Sequence, residues 1–124
     1  MPGGFLVVTS NGSTPNTGIV WATAPVSNDA NKFVVEGILR AYDATALDVH
    51  PNADGTPRLR LLWDSKHIPG NTFNFSKFCP PVAVDGRVLV PTYSGRVDVY
   101  TLVAPPGGLL PTNANLAPGD DEEN

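Results

Sequence analysis

One short phrase occurs twice in this chain. Gly18-Ile19-Val20-Trp21-Ala22 leads on to Gly37-Ile38-Leu39-Arg40-Ala41-Tyr42-Asp43, and Gly86-Arg87-Val88-Leu89-Val90 later leads on to Gly95-Arg96-Val97-Asp98-Val99-Tyr100. Each half is a pair of glycine-led β runs, the second member of which reaches a tyrosine. Repetition on this scale marks a repeat architecture, in which one supersecondary unit buries a face against its copy. Gly18 and Gly86 are 68 residues apart, whereas Gly37 and Gly95 are 58 apart. The difference falls wholly between the two runs, where the first unit has a long loop and the second a tight turn.

Composition agrees with short strands. Gly (12) and Pro (13) make up about a fifth of the 124 residues, against an average usage of roughly 12%. That fraction suits tight turns and leaves little room for long helices, so an all-β fold is expected. A single domain of this length buries roughly two thirds of its unfolded surface.

The strands can be placed. Residues 5–9 are apolar and β-branched and end in the turn signal Ser10-Asn11-Gly12-Ser13. Residues 18–23 are apolar at nearly every position, which predicts a central strand buried on both faces of stacked sheets. After a hairpin loop with Pro25, Asn28, Asp29 and Asn31, residues 33–43 carry a third strand, and a turn at Pro51-Asn52-Ala53-Asp54-Gly55 precedes a fourth at 59–63. Residues 64–78 read as a polar connection. The pattern then restarts at 81–84, turns at Asp85-Gly86, continues over 87–92, turns at Tyr93-Ser94-Gly95 and ends over 96–102. From Ala104-Pro105-Pro106-Gly107-Gly108 onward, residues 104–124 read as a disordered acidic tail or linker. The first unit thus has four strands and the second three.

These residues carry a family resemblance. Thr17-Gly18-Ile19-Val20-Trp21-Ala22, the run from Gly37 through Tyr42-Asp43-Ala44, and Leu62-Trp63-Asp64-Ser65 resemble a blade of the quinoprotein-like, PQQ-repeat β-propellers. The run from Lys77-Phe78-Cys79-Pro80 through Val90-Pro91-Thr92, followed by Gly95 to Tyr100, resembles the closing blade of that group. The resemblance covers about residues 3–102, with recurrent positions at Gly18, Trp21, Gly37, Tyr42, Trp63, Gly86, Gly95 and Tyr100. It implies a partial propeller over residues 1–103, with one four-stranded blade at about 3–65 and an incomplete blade at about 78–103. It also implies the C-terminal part of a ring. Two blades fall short of the roughly four a propeller needs to close, so further blades are expected as partners, from another chain or from copies of this one. An isolated pair would expose an apolar face at each end and an unpaired edge strand.

The chemistry implied by the resemblance is thin. Quinone-dependent dehydrogenases of this group hold the cofactor with a disulfide surface, calcium ligands and a catalytic aspartate, and no adjacent cysteine pair occurs here. No cofactor, metal or catalytic residue is predicted. Trp21 and Trp63 fall mid-strand, where blade packing accounts for them. His50-Pro51-Asn52-Ala53-Asp54-Gly55 echoes a calcium loop, but its twelfth position is Leu61, and a hairpin turn explains the residues better. His67 and Lys77, in the connection between units, are the ionisable pair placed for ligand contact. Asn11-Gly12-Ser13 and Asn74-Phe75-Ser76 fit the glycosylation pattern. No nucleophile elbow or phosphate-cradling glycine loop is present.

Other classes are excluded by charge and hydropathy. Asp120, Asp121, Glu122 and Glu123 account for the net charge of −4, leaving a body with 8 basic and 8 acidic residues. Nucleic acid would require a basic footprint that this body lacks. No apolar run approaches the ~18 residues of a membrane span. The start, Met1-Pro2-Gly3-Gly4, has neither a basic region nor an apolar core, so no signal peptide is expected. Cys79 stands alone and is expected to be a small buried hydrophobe.

A non-catalytic structural or interaction module is therefore the leading expectation. The alternatives are a fragment of a quinone-dependent oxidoreductase whose cofactor ligands lie in missing blades, or a free-standing β-sandwich.

Overall fold

The computed structural model describes residues 4–102 and 116–118. The chain folds as two antiparallel meanders. The first joins β1 (Phe5–Thr9), β2 (Ile19–Pro25), β3 (Gly37–Leu47) and β4 (Leu59–Asp64) in the order 1-2-3-4. The second joins β5 (Val82–Val84), β6 (Arg87–Pro91), β7 (Val97–Leu102) and β8 (Leu116–Pro118) in the order 5-6-7-8. The three strands expected in the second sheet are β5, β6 and β7. Beside them β8 pairs along β7 with Leu102 opposite Leu116, within the stretch read from sequence as tail or linker. The rest of that stretch lies outside the described residues.

Sequence equivalence is carried into strand pairing. Val20 pairs with Tyr42 in the first sheet and Val88 with Tyr100 in the second; Trp21 pairs with Ala41, and Leu89 with Val99. Every β6–β7 partnership has its counterpart in β2–β3 at the same offset, and β5 stands to β6 as β1 stands to β2. Register follows from which face is buried, since a slip of one residue would turn every side chain to the opposite face.

The core lies between the sheets. Trp21, Ala41 and Trp63 form a row across β2, β3 and β4. That row, with Ile19 and Leu39, packs against Val88, Val90 and Tyr100 from the second sheet. The Trp63 and Tyr100 rings meet edge to face, with centroids 5.7 Å apart at 69°; such a pair adds about 0.5–1.5 kcal/mol beyond the area it buries. Tyr100 keeps its hydroxyl satisfied by accepting from Asn71 Nδ2 at 2.8 Å. Burial pushes its pKa up by disfavouring the phenolate.

Two departures from the sequence reading have physical causes. The third strand begins at Gly37, not at 33, because the amides of Lys32 and Phe33 both donate to the Asp29 carbonyl at 3.0 Å and hold those residues in a turn. The connection over 64–78 is not merely polar. It opens with a 3₁₀ turn, Ser65–His67, capped by the Asp64 side chain, and residues 73–75 then run between the sheets. Gly37 N–H donates to the Phe73 carbonyl at 2.8 Å and Phe75 N–H to the Val35 carbonyl at 2.9 Å. On the other side, Tyr93 N–H donates to the Asn74 carbonyl at 2.8 Å, and Phe75 bridges to Thr92. Phe73 enters the main core, while Phe75 packs with Ala30 and Val35.

The inner face of the first sheet contains a correctable defect. The Thr23 hydroxyl is buried with no hydrogen-bond partner, and an unsatisfied buried polar group costs about 1–3 kcal/mol. Thr23→Val keeps the β-branched shape and removes the hydroxyl, so it should stabilise the fold by about 1 kcal/mol. Urea denaturation of both forms at one protein concentration checks this, and a loss of stability would mean that the hydroxyl is in fact paired.

Candidate functional site

Because side chains alternate across a strand, each sheet has an inner face and an outer one. In the first sheet, the inner face carries Trp21 and Leu39, both fully buried, and the outer face carries Val20, Ala22 and Tyr42, all partly exposed. On the edge strand β1, Leu6 and Val8 lie on that outer face, each 63% exposed. In the second sheet Val88 and Tyr100 are inward and 1% exposed, whereas Leu89 and Val99 are outward and partly exposed. Val82, Val84 and Val97 complete this outer face and are about half exposed.

Set against the repeat, this arrangement has a definite sense. Val20 and Tyr42 are the counterparts of Val88 and Tyr100, yet the first pair faces out and the second faces in. Trp21 and Ala41 are the counterparts of Leu89 and Val99, and again the two pairs face opposite ways. Equivalent positions in the two units therefore never face one another across the core. The sheets are stacked in the same sense, one behind the other, and are not related by a two-fold axis between them. They come nearest at their first strands, β1 and β5. Phe78, in the left-handed region at φ 62°, sets its ring edge-on to Phe5 of β1, 6.4 Å between centroids, and ties the connection to that edge.

The glycines among the recurrent positions serve two purposes. Gly86 and Gly95 have φ of 73° and 78° in open turns. Asp85 at φ 47° beside Gly86 makes the two-residue hairpin expected there. Gly18 and Gly37 are instead points of close approach, to Ala44 and to the Phe73 ring.

His67 and Lys77 are not brought together. His67 Nδ1 lies 3.2 Å from both the carbonyl and the carboxylate of Asp64, a local contact within the 3₁₀ turn. Lys77 lines a shallow cleft of about 230 Å³ with Lys32, Phe33, Phe75 and Tyr93, smaller than the roughly 300–1,000 Å³ of small-molecule sites. Lys32 is also drawn towards Asp29, 3.8 Å away. Cys79 is half-buried, not buried as expected, and accepts a hydrogen bond from the Ser76 hydroxyl at 3.3 Å. In the loop that echoes calcium binding, Asp54 Oδ1 accepts from both the amide and the hydroxyl of Thr56. Those turn bonds hold the Asp54 pKa low.

Among the described residues the most buried carboxylate, Asp43, is held in a local network. Burial alone would raise the Asp43 pKa, but hydrogen bonds from the Thr45 amide and hydroxyl at 2.8 Å and from Arg60 at 2.6 Å outweigh it and hold the pKa low. Among the described residues no group of three or more His, Cys, Asp or Glu side chains could hold a metal ion, and no helix is long and apolar enough to cross a membrane. Comparison with family models, curated proteins and solved structures returns no match to this chain. The features that remain are the two apolar outer faces.

Proposed function

We propose that this chain is a non-catalytic structural and interaction module, two neighbouring blades of a quinoprotein-like β-propeller, acting through the outer faces of its sheets. The observation that carries the reading is the same-sense stacking of the two meanders. Each blade of a propeller presents one face to the blade before it and the opposite face to the blade after it, so an equivalent side chain faces forward in one and forward again in the next. A sandwich of two related sheets would instead turn equivalent residues towards each other. The nearest approach at β1 and β5 supports the same reading, because blades converge on their first strands around a channel.

Function follows from what is left uncovered. Contiguous apolar surface on a sheet face marks an interaction site in a stable protein, and here there is one such face at each end of the stack. Size-exclusion chromatography with light scattering, run alongside binding of the dye ANS, tests this. The purified chain should either self-associate or bind ANS through these faces. A compact monomer that binds no dye would dispose of the reading.

A further inference from the structure

We infer that the two outer faces fit one another, so that the partner of each is a second copy of this chain, stacked head to tail and closing into a ring. This rests on the outer faces being the interaction surface. It goes further by naming what covers them.

The template is inside the molecule. On the outer face of the first sheet, Val8, Val20 and Tyr42 occupy the positions that Ala83, Val88 and Tyr100 occupy in the second sheet. Those three face the first sheet, where Val88 and Tyr100 are part of the core. On the outer face of the second sheet, Leu89, Val97 and Val99 occupy the positions of Trp21, Leu39 and Ala41, which form the other half of the same core. Both ends thus present, on β1–β3 and on β5–β7, apolar side chains at the strand positions that make the interface between the two sheets. Placing the second sheet of one copy behind the first sheet of the next repeats that packing. A two-fold pairing, with like faces together, repeats nothing present in the fold.

The arginines on these faces occupy different rungs: Arg40 pairs with Ala22 in the middle of the β2–β3 ladder, and Arg87 pairs with Thr101 on the end rung of the β6–β7 ladder, the one that Ile19 and Asp43 hold in the first sheet. A head-to-tail contact between copies makes either a filament or a ring. Because the sheets converge at β1 and β5, each addition turns about that edge, which selects closure. With two sheets per chain and roughly 4–8 sheets in a closed ring, about two to four copies complete it.

Face-specific variants test the arrangement on the 124-residue chain. Val8→Glu charges one outer face and Val97→Glu the other, both at exposed positions where folding tolerates the change; Leu6→Glu and Val82→Glu provide a second pair. Far-UV circular dichroism verifies that each is folded. In light scattering, the unmodified chain should have about two to four times the protomer mass, and each variant should be a monomer. An equimolar mixture of Val8→Glu and Val97→Glu should form a dimer, because one intact face of each kind remains. Variants that still self-associate, or a mixture that stays monomeric, would overturn the head-to-tail contact. An unmodified monomer whose ANS binding falls with either substitution would overturn self-assembly but leave the interaction module standing. A monomer that binds no dye would overturn both.

Discussion

Trp63→Ala should lower the stability of the fold by about 3–5 kcal/mol, the range for emptying a fully buried tryptophan site. A domain of this size has only about 5–15 kcal/mol to lose, so the variant should melt well below the parent at equal protein concentration. The effect is large because Trp63 is the meeting point of the two sheets. It closes the row Trp21–Ala41–Trp63 on the first sheet and sets its ring against Tyr100 of the second. Its indole N–H, however, has no hydrogen-bond partner. Trp63→Phe keeps an aromatic edge for Tyr100 and removes that unpaired donor, so it should lose less than half as much. Thermal denaturation of the three proteins checks both statements. A loss under about 1 kcal/mol for Trp63→Ala, the size of an ordinary surface substitution, would mean that Trp63 does not bridge the sheets.

The repeat was readable because it is written in local signals. Glycines, an Asp-Gly hairpin and β-branched runs specify turns and strands within a few residues of themselves, and seven strands were placed from them. Which face each strand buries was not readable in the same way. Residues 18–23 are apolar on both faces, so alternation is silent there, and only packing tells Trp21 from Val20. A strand that is apolar on both faces suits a sheet covered on both. Residues 73–75 were missed for a different reason. Phe73 and Phe75 have the two-residue spacing of a strand, but they sit among Asn71, Thr72, Asn74 and Ser76, and the polar setting hid the pattern. Their partners lie far off in sequence, at 35–37 and 92–94, so no local rule could supply them. His67 and Lys77 share a connection in sequence, but the 3₁₀ turn holds His67 on Asp64 while the strand-like run carries Lys77 to the cleft beyond.

Gly37→Ala should destabilise the protein by about 1–3 kcal/mol, the usual cost of overpacking, although the same change at an unstrained, open site stabilises by about 0.4–1 kcal/mol through the unfolded chain. The sign turns on one contact. Gly37 is not in the left-handed region, so its backbone conformation does not demand glycine. A Cβ there would lie 2.3 Å from Cε2 and 2.9 Å from Cδ2 of Phe73. The ring has little room to retreat, because Phe73 is buried in the main core, and its carbonyl is held by the Gly37 amide. Alanine must therefore push the run over 73–75 away from β3, loosening the segment that ties the first sheet to Tyr93 and Thr92 of the second. Phe73→Leu opens space at the same point, so adding it to Gly37→Ala should cost less than the two single changes summed. A coupling of at least about 0.5 kcal/mol in that double-mutant cycle is the expected signature of direct contact. Simple additivity would place the ring elsewhere, and a stabilising Gly37→Ala would mean that no side chain approaches the glycine at all.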